Sequence, residues 1–427
     1  MYKVCLIRPG CKEMIDDKMD IPYGVLCLGT AIKKYGHDLV ITDLSGGREY
    51  GDIPEADLYG ISSYSVTYSE SIKIRDWIRK NYPKKPIMIG GPHATIEYEK
   101  MLDEDFDAIC VGEGEITVPP NIEKIILGSN DKVIFGKSVD DLDYYCPDYS
   151  LLNIDEYHRS NQGKKTISIM TSRGCLFQCK YCWNVHNGKK VRYRSPSSMF
   201  QELLILKNSF GIQHICFLDD SFLTDEKRAR KIMMYLSELE LSWEAECNII
   251  HLQESEMCQF MKRTGCTNVF FGLESGSDLL LKKMSKPQNT AMIRKGVHNL
   301  KAAGIIVRGS LMVGFPGETW ETLNETINLV KEIGLDEFSV YTFTPYPGTD
   351  PYYNPKKYGI EITAKSYEDF YMVKGDEESS YCFKSDTLNE KVLKQMREYL
   401  LNQLDNTKSA KSINEEKYTI KKWEELL

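Results

Sequence analysis

The sequence predicts an α/β protein built from two parallel-sheet domains. Short apolar runs alternate with helical patterns in two separate series, and glycines and serines gather where many of the runs end. A length of 427 residues leaves room for two to three domains at about 150 residues each. Hydrophobic residues make up 42% of the chain and charged residues 27%, a globular composition that excludes disorder or a coiled coil as its overall description. With 54 basic and 62 acidic residues the net charge is −8, which gives no electrostatic reason to expect a nucleic acid or an anionic membrane as partner. No apolar run reaches the ~18 residues of a membrane span, and Met1-Tyr2-Lys3-Val4-Cys5 does not start a secretion signal, so a cytoplasmic protein is expected.

Residues 1–130 read as a doubly wound, Rossmann-like parallel sheet. The strands are Tyr2–Arg8, Asp38–Asp43, Asp57–Ser62, Pro86–Gly90 and Asp107–Val111, with helical segments near Tyr23–Tyr35, Ser69–Tyr82, Thr95–Leu102 and Thr117–Leu127. Ligands of such sheets sit outside the carboxyl ends of the strands. Those ends carry Ser62-Ser63, Gly90-Gly91 and Gly112-Glu113-Gly114. These are turn residues by one reading and a cofactor cradle by the other, and three in register favour the cradle. Residues 131–165 lack periodicity and read as a linker.

From residue 166 to 345 the alternation restarts. Strands are expected at Thr166–Thr171, His214–Asp219, Trp243–Cys247, Asn268–Leu273, Ile306–Val313 and Glu337–Phe343. Ser195 and Pro196 suit the start of a helix that places Met199, Leu203, Leu206 and Phe210 on one face, and Trp320–Ile333 is amphipathic. Six strand–helix repeats predict a partial (β/α)6 barrel, with its working residues at the carboxyl ends of the strands. Residues 346–427 read as a helical C-terminal region.

Thirteen cysteines in a chain of this size, an odd number, point to a reducing compartment. Ten are scattered. The other three, Cys175, Cys179 and Cys182, are spaced Cys-x3-Cys-x2-Cys directly after the first barrel strand. Such a triple arises by chance about 0.01 times in a chain with this cysteine content. Zinc is one candidate, with His186 as a fourth ligand. An iron–sulfur cluster is the other: three thiolates on a four-iron cluster leave one iron open for chemistry, whereas an electron-transfer cluster normally has four.

This motif, with Tyr181 before its last cysteine, resembles the cluster site of the radical S-adenosylmethionine (SAM) superfamily. The resemblance implies that Cys175, Cys179 and Cys182 hold a 4Fe-4S cluster and that the open iron chelates SAM. Reductive cleavage of SAM then yields a deoxyadenosyl radical. Asp219 and Asp220 in Phe217-Leu218-Asp219-Asp220 stand where the family holds the SAM amino group, although acids there also cap helices. Glu274 and Ser275 in Phe271-Gly272-Leu273-Glu274-Ser275 stand where it contacts ribose or carboxylate. Arg308 is a candidate to neutralise that carboxylate, with a surface ion pair as the alternative.

The N-terminal half resembles the cobalamin-binding domain of class B radical SAM enzymes. The matching pieces are Ile21-Pro22-Tyr23-Gly24-Val25-Leu26, Ala56 to Ser63, Gly90-Gly91-Pro92-His93 and Val111-Gly112-Glu113-Gly114-Glu115. Ser62, Ser63, Gly90, Gly91, Gly112, Glu113 and Gly114 are the implied cobalamin contacts. The Asp-x-His-x-x-Gly motif that supplies a cobalt ligand elsewhere is absent, so His93 is a loop or structural histidine rather than a ligand.

The resemblance implies a methyltransferase that transfers methyl from methylcobalamin to an unactivated carbon or phosphorus of a small-molecule or peptide substrate. It also implies an electron donor such as flavodoxin or ferredoxin. A radical cyclase, oxidase or rearrangement enzyme is the alternative. An RNA methylthiotransferase would need a second cysteine cluster and a basic tail, but residues 384–427 carry nine basic against eight acidic residues. A corrinoid or electron carrier without catalysis would not need the barrel's strand-end residues.

Overall fold

Residues of the inner strands of the N-terminal sheet alternate between two buried faces, because helices pack on both sides of the sheet. The computed structural model describes residues 1–427 except 13, 15, 145, 184–189, 372–380, 406–410 and 413–427. It divides into two units. The first comprises Met1–Gly163, Arg192–Ser198 and Ala364–Tyr371; the second comprises Lys164–Val191, Met199–Thr363 and the described part of Met372–Leu427.

In the first unit the strands are β1 (Lys3–Arg8), β2 (Asp38–Asp43), β3 (Leu58–Ser62), β4 (Ile87–Gly90), β5 (Ala108–Val111) and β6 (Val133–Phe135). They are all parallel, in the order β2-β1-β3-β4-β5-β6. Helices α1 (Tyr23–Lys34), α2 (Tyr68–Asn81), α3 (Pro92–Glu97) and α4 (Val118–Ile126) form the connections. Cys5, Ile7, Tyr59 and Ile61 pack with Ile74 and Ile78 of α2 on one face. Val4, Leu6, Leu58 and Met88 pack with Val25 and Ile32 of α1 and Ile122 of α4 on the other. Full burial of each such side chain is worth about 1.5–3 kcal/mol. The strand order reverses between β1 and β3, the point at which open parallel sheets leave a crevice for a ligand.

The stretch read as a linker is corrected here. Val133–Phe135 adds the sixth strand, pairing with β5, and Leu142, Tyr149 and Ile154 are buried. A three-residue strand is too short to show periodicity.

The second unit contains β7 (Lys164–Ile169), β8 (His214–Phe217), β9 (Ser242–Glu246), β10 (Cys266–Glu274), β11 (Ile306–Val313) and β12 (Glu337–Thr342). Each is parallel to its neighbour, and β7 and β12 are not paired with each other, so the barrel is open. The short strand Lys411–Ser412 pairs with the outer side of β12. Between strands run α5 (Pro196–Phe210), α6 (Glu226–Glu238), α7 (Ser255–Arg263), α8 (Asp278–Lys283), α9 (Thr290–Ala302) and α10 (Trp320–Ile333). Helix α10 shows how local sequence sets the boundaries: the Thr319 hydroxyl accepts from the Thr322 N–H at its start, and Gly334 takes a left-handed conformation at its end. Along the strands, Ile167, Ile215, Trp243, Val269, Val307 and Phe338 are almost fully buried. The residues between them, including Ser168, Glu244, Asn268 and Ser339, are polar.

The C-terminal region departs in part from the expected helices. It has α11 (Asp350–Tyr353) and α12 (Glu390–Asp405), but also an antiparallel pair, Ile360–Ile362 with Phe383–Ser385. Among the described residues no helix is long and apolar enough to cross a membrane.

Candidate cluster and cofactor sites

The loop after β7 carries Cys175, Cys179 and Cys182, none of them in a disulfide. A turn closed by the Cys182 N–H donating to Cys179 O (3.0 Å) brings the last two together. Burial raises the thiols of Cys175 and Cys179, and the Lys286 ammonium opposes this at both. Lys286 follows α8; burial works against its charge, but Glu274 and Cys179 hold its pKa above the usual lysine value. Three soft donors beside a buried cation fit an anionic iron–sulfur cluster. Among the described residues no three His, Cys, Asp or Glu side chains converge as they would around a single metal ion. His186 lies outside the described residues.

Glu274 is the centre of the arrangement. A register shift between Gly272 and Glu274 breaks the pairing of β10 with β11, and Glu274 sits in the left-handed region at φ 62°. Such backbone costs about 1–3 kcal/mol and collects at functional sites. The Tyr181 hydroxyl donates to Glu274 Oε1 at 2.9 Å, and Lys286 Nζ lies 3.2 Å from the same oxygen. The side chains of Glu274 and Lys286 are only 10% and 12% exposed. Gly272 permits this, because a Cβ there would overlap Glu274 Oε1 and come within 2.6 Å of Lys286 Nζ. The Gln288 amide donates to Gly272 O (2.9 Å) and Leu273 O (3.0 Å), and among the described residues its buried Oε1 has no partner.

Two residues here were missed by the sequence reading. One is Lys286. The other is Glu246, at the carboxyl end of β9, open to solvent yet closely surrounded by protein. Its surroundings raise its pKa to about 7; the lost solvation dominates, Asp220 and Glu274 add to it, and Lys286 opposes it. The strand-end rule that selected Asp219 also selects Glu246; Lys286 lies in a loop and had no comparable signal.

Other candidates separate. Asp219 is 1% exposed and accepts from the backbone of Thr171 (2.5 Å) and Ser172 (3.0 Å), and from the Thr171 hydroxyl. It fastens the start of the cysteine loop instead of facing an ammonium group. Asp220, the next residue, is exposed at the strand end. Ser275 is 1% exposed, its hydroxyl 3.2 Å from that of Thr326 and accepting from Ser277 N, so it braces α10. Arg308 is third in β11, towards the amino end. It pairs with Glu337 and, at 3.3 Å, with Glu244. The ion-pair alternative is the correct one for Arg308. Nearby, the Ser242 hydroxyl lies 2.9 Å from both His214 Nδ1 and Lys164 Nζ, and this polar network fills the amino end of the sheet.

In the first unit, the carboxyl ends of β3, β4 and β5 divide likewise. Gly91 has φ 93°, and a Cβ there would stand 2.9 Å from the backbone N and O of Ser63. Gly90 O accepts from Ser63 N (2.9 Å), which ties the two ends together. Ser63 itself is fully buried, with its hydroxyl bonded to Ser71 and Tyr64. Ser62 is half-buried at the strand end. Gly112 has φ 87°, and a Cβ on Gly114 would press on Val118 and Leu28. Glu113 is committed to structure: Arg192 grips both its oxygens (2.7 and 2.5 Å) and Val139 N donates to it. Ser63 and Glu113 are therefore corrected from cofactor contacts to supports. The bare backbone at Gly91 and Gly112, with Ser62, fits close approach by a large planar cofactor. His93 is 1% exposed and 3.0 Å from the Ser65 hydroxyl, and burial lowers its pKa to about 4. It is a structural histidine.

The Radical SAM superfamily model matches residues 169–330, and the B12 binding domain model matches residues 21–120. The chain is 31% identical over 383 residues to an uncharacterised methyltransferase of Pyrococcus horikoshii, covering 82% of each chain. It is 23% identical over 432 residues to the cytidylyl-2-hydroxyethylphosphonate methyltransferase of Streptomyces wedmorensis, covering 82% of this chain and 80% of that one. The fold is shared with the radical SAM methyltransferase TsrM of Kitasatospora setae, solved with tryptophan and a SAM analogue. The TM-score is 0.67 at 15% identity, covering 87% of this chain and 80% of TsrM. The chain belongs to the radical SAM superfamily and carries an N-terminal B12-binding domain.

Proposed function

We propose that this protein is a cobalamin-dependent radical SAM methyltransferase acting on an unactivated carbon, or phosphorus, of a small-molecule or peptide substrate in the cytoplasm. When bound, the 4Fe-4S cluster and SAM supply a hydrogen-abstracting radical and cobalamin supplies the methyl group. The residues of this chain bind and orient. Cys175, Cys179 and Cys182 hold the cluster. Lys286 retains donors beyond its pair with Glu274 and takes the SAM carboxylate. Glu246 and Asp220 accept from the SAM ammonium group. Tyr181 fixes Glu274, and Gln288 Oε1 offers an acceptor to a hydroxyl. Ser62, Gly90, Gly91, Gly112 and Gly114 receive the corrin.

The observation that carries this reading is the bridge from Tyr181 through Glu274 to Lys286, which holds a cation against the cysteine loop, with Glu246 and Asp220 close enough to act on the same group. A zwitterionic amino acid needs a cation for its carboxylate and an acid for its ammonium. The methyl-transfer part is supported by the methyltransferases among the relatives. The test is anaerobic incubation of the reconstituted protein with SAM, cobalamin and a strong reductant. Deoxyadenosine, together with a methyl label passing from SAM to cobalamin, is expected. Deoxyadenosine without methylated cobalamin would favour the cyclase or oxidase alternative.

A further inference from the structure

The proposed cluster and corrin sites, on which this inference rests, are joined along the chain through one ion pair. In the second unit Gly174, next to Cys175, has φ 102°, and a Cβ there would overlap Lys190 O. The chain entering the cysteine loop therefore lies against the chain leaving it. Just beyond Lys190 the chain passes into the first unit at Arg192. The Arg192 guanidinium donates to both oxygens of Glu113, at 2.7 and 2.5 Å, and to Val139 O at 2.7 Å. Val139 N donates in turn to Glu113 Oε2 at 2.6 Å, which closes the network. The Arg192 and Glu113 side chains are 9% and 21% exposed. Further along the same segment, Ser195 N donates to Asp143 at 2.9 Å, so this stretch is fastened in its own unit.

Glu113 stands between Gly112 and Gly114, the backbone proposed to receive the corrin. Gly112 N donates to the Thr95 hydroxyl at 3.0 Å, and Gly114 O accepts from Val118 N at 2.8 Å. The stretch is thus held at its ends by backbone groups and in its middle by Arg192. A two-point contact between planar groups fixes orientation as well as distance, so a turn of one partner turns the other. We propose that Arg192 is a positioning residue that couples the two cofactor sites. Through Glu113 it sets the Gly112–Gly114 backbone, and its own position is set by the exit of the cysteine loop. A cluster that orders this loop then raises corrin affinity, and by linkage corrin tightens the hold on the cluster by the same factor.

The test is an absorbance titration with hydroxocobalamin on iron-free and on anaerobically reconstituted protein. Wild type is compared with Arg192→Lys, Arg192→Gln and Glu113→Gln. Reconstituted wild type should bind corrin about fivefold more tightly than the iron-free form. Arg192→Gln and Glu113→Gln should bring that ratio close to unity. Arg192→Lys keeps the charge without the two-point contact and should fall between. Glu113→Gln preserves the shape of the side chain and decides the outcome should Arg192→Gln fail to fold. Equal affinities in the two wild-type forms would overturn the coupling. So would a wild-type ratio in Glu113→Gln, even with both affinities lowered, because that marks a purely structural pair. Wild type that binds no corrin in either form, or takes up no iron, would instead overturn the reading of the two sites.

Discussion

The hydroxyl of Tyr181 donates to Glu274 at 2.9 Å, joining the residue before the third cysteine to a left-handed residue at the bulged end of β10. One short contact thus couples the cluster loop to the strand that presents a carboxylate and, through it, Lys286.

That coupling can be weakened in two steps. Tyr181→Phe removes one hydrogen bond but leaves the Glu274–Lys286 pair, so stability should fall by about 1 kcal/mol and SAM affinity by a few fold. Glu274→Ala strands a buried ammonium and should destabilise by about 1–3 kcal/mol, with a larger loss of SAM affinity. Iron content should stay at the wild-type value in both. Equilibrium dialysis with labelled SAM and an iron assay read the two quantities; unchanged affinity in Glu274→Ala would remove Glu274 from the site.

Asp219 and Glu246 both end barrel strands, yet their variants should behave oppositely. Asp219→Asn weakens the fastening of Thr171 and Ser172 and should lower the thermal midpoint. Glu246→Gln touches no structural bond and should change stability by less than about 0.5 kcal/mol, but weaken SAM binding. Calorimetry and dialysis separate them. A stable Asp219→Asn protein with weakened SAM binding would restore Asp219 as the ammonium partner.

Gly91 offers a test of the first unit. Alanine there must adopt φ 93° and press its Cβ on the Ser63 backbone, so Gly91→Ala should destabilise by more than about 1 kcal/mol and reduce hydroxocobalamin binding. Urea denaturation and retained corrin absorbance measure the two effects. Wild-type corrin retention would show that this backbone is not part of the cradle.

Glu318 predicts a pH dependence. It is buried after β11, and burial raises its carboxyl pKa to about 8, with the Gly314 N–H opposing. In the unfolded chain it titrates near the ordinary 4.5. Between those values the unfolded state has released the proton and the folded state retains it. Stability therefore falls as pH rises from about 4.5 to about 8 and then levels off at this group's contribution. Glu318→Gln should flatten that slope. Denaturation midpoints across the range check it; parallel profiles for the two proteins would contradict a protonated Glu318.

Much of this was legible because strand position is written in periodic apolar runs and cluster ligation in fixed cysteine spacing. Both parallel sheets and the Cys175–Cys182 loop follow from those signals. The errors share another cause: the sequence names a residue but not what its side chain already holds. Asp219, Ser275 and Glu113 stand near the expected strand ends, yet each is used by neighbours distant in sequence, such as Arg192 for Glu113 and Thr326 for Ser275. Arg308 was placed by its nearness to a glycine-rich turn, but register puts it towards the amino end of β11, beside Glu337. Lys286 reaches the cysteines from a loop, through a pairing that no local pattern encodes.

The central claim is that the three thiols hold a four-iron cluster and that the first unit binds a corrin. The most direct measurement is iron and corrin per chain after anaerobic reconstitution with iron, sulfide and hydroxocobalamin, followed by desalting. The account predicts about four irons and one corrin in wild type, and loss of iron with retained corrin in Cys179→Ala. Wild-type iron in Cys179→Ala, or no corrin on the wild-type chain, would contradict it.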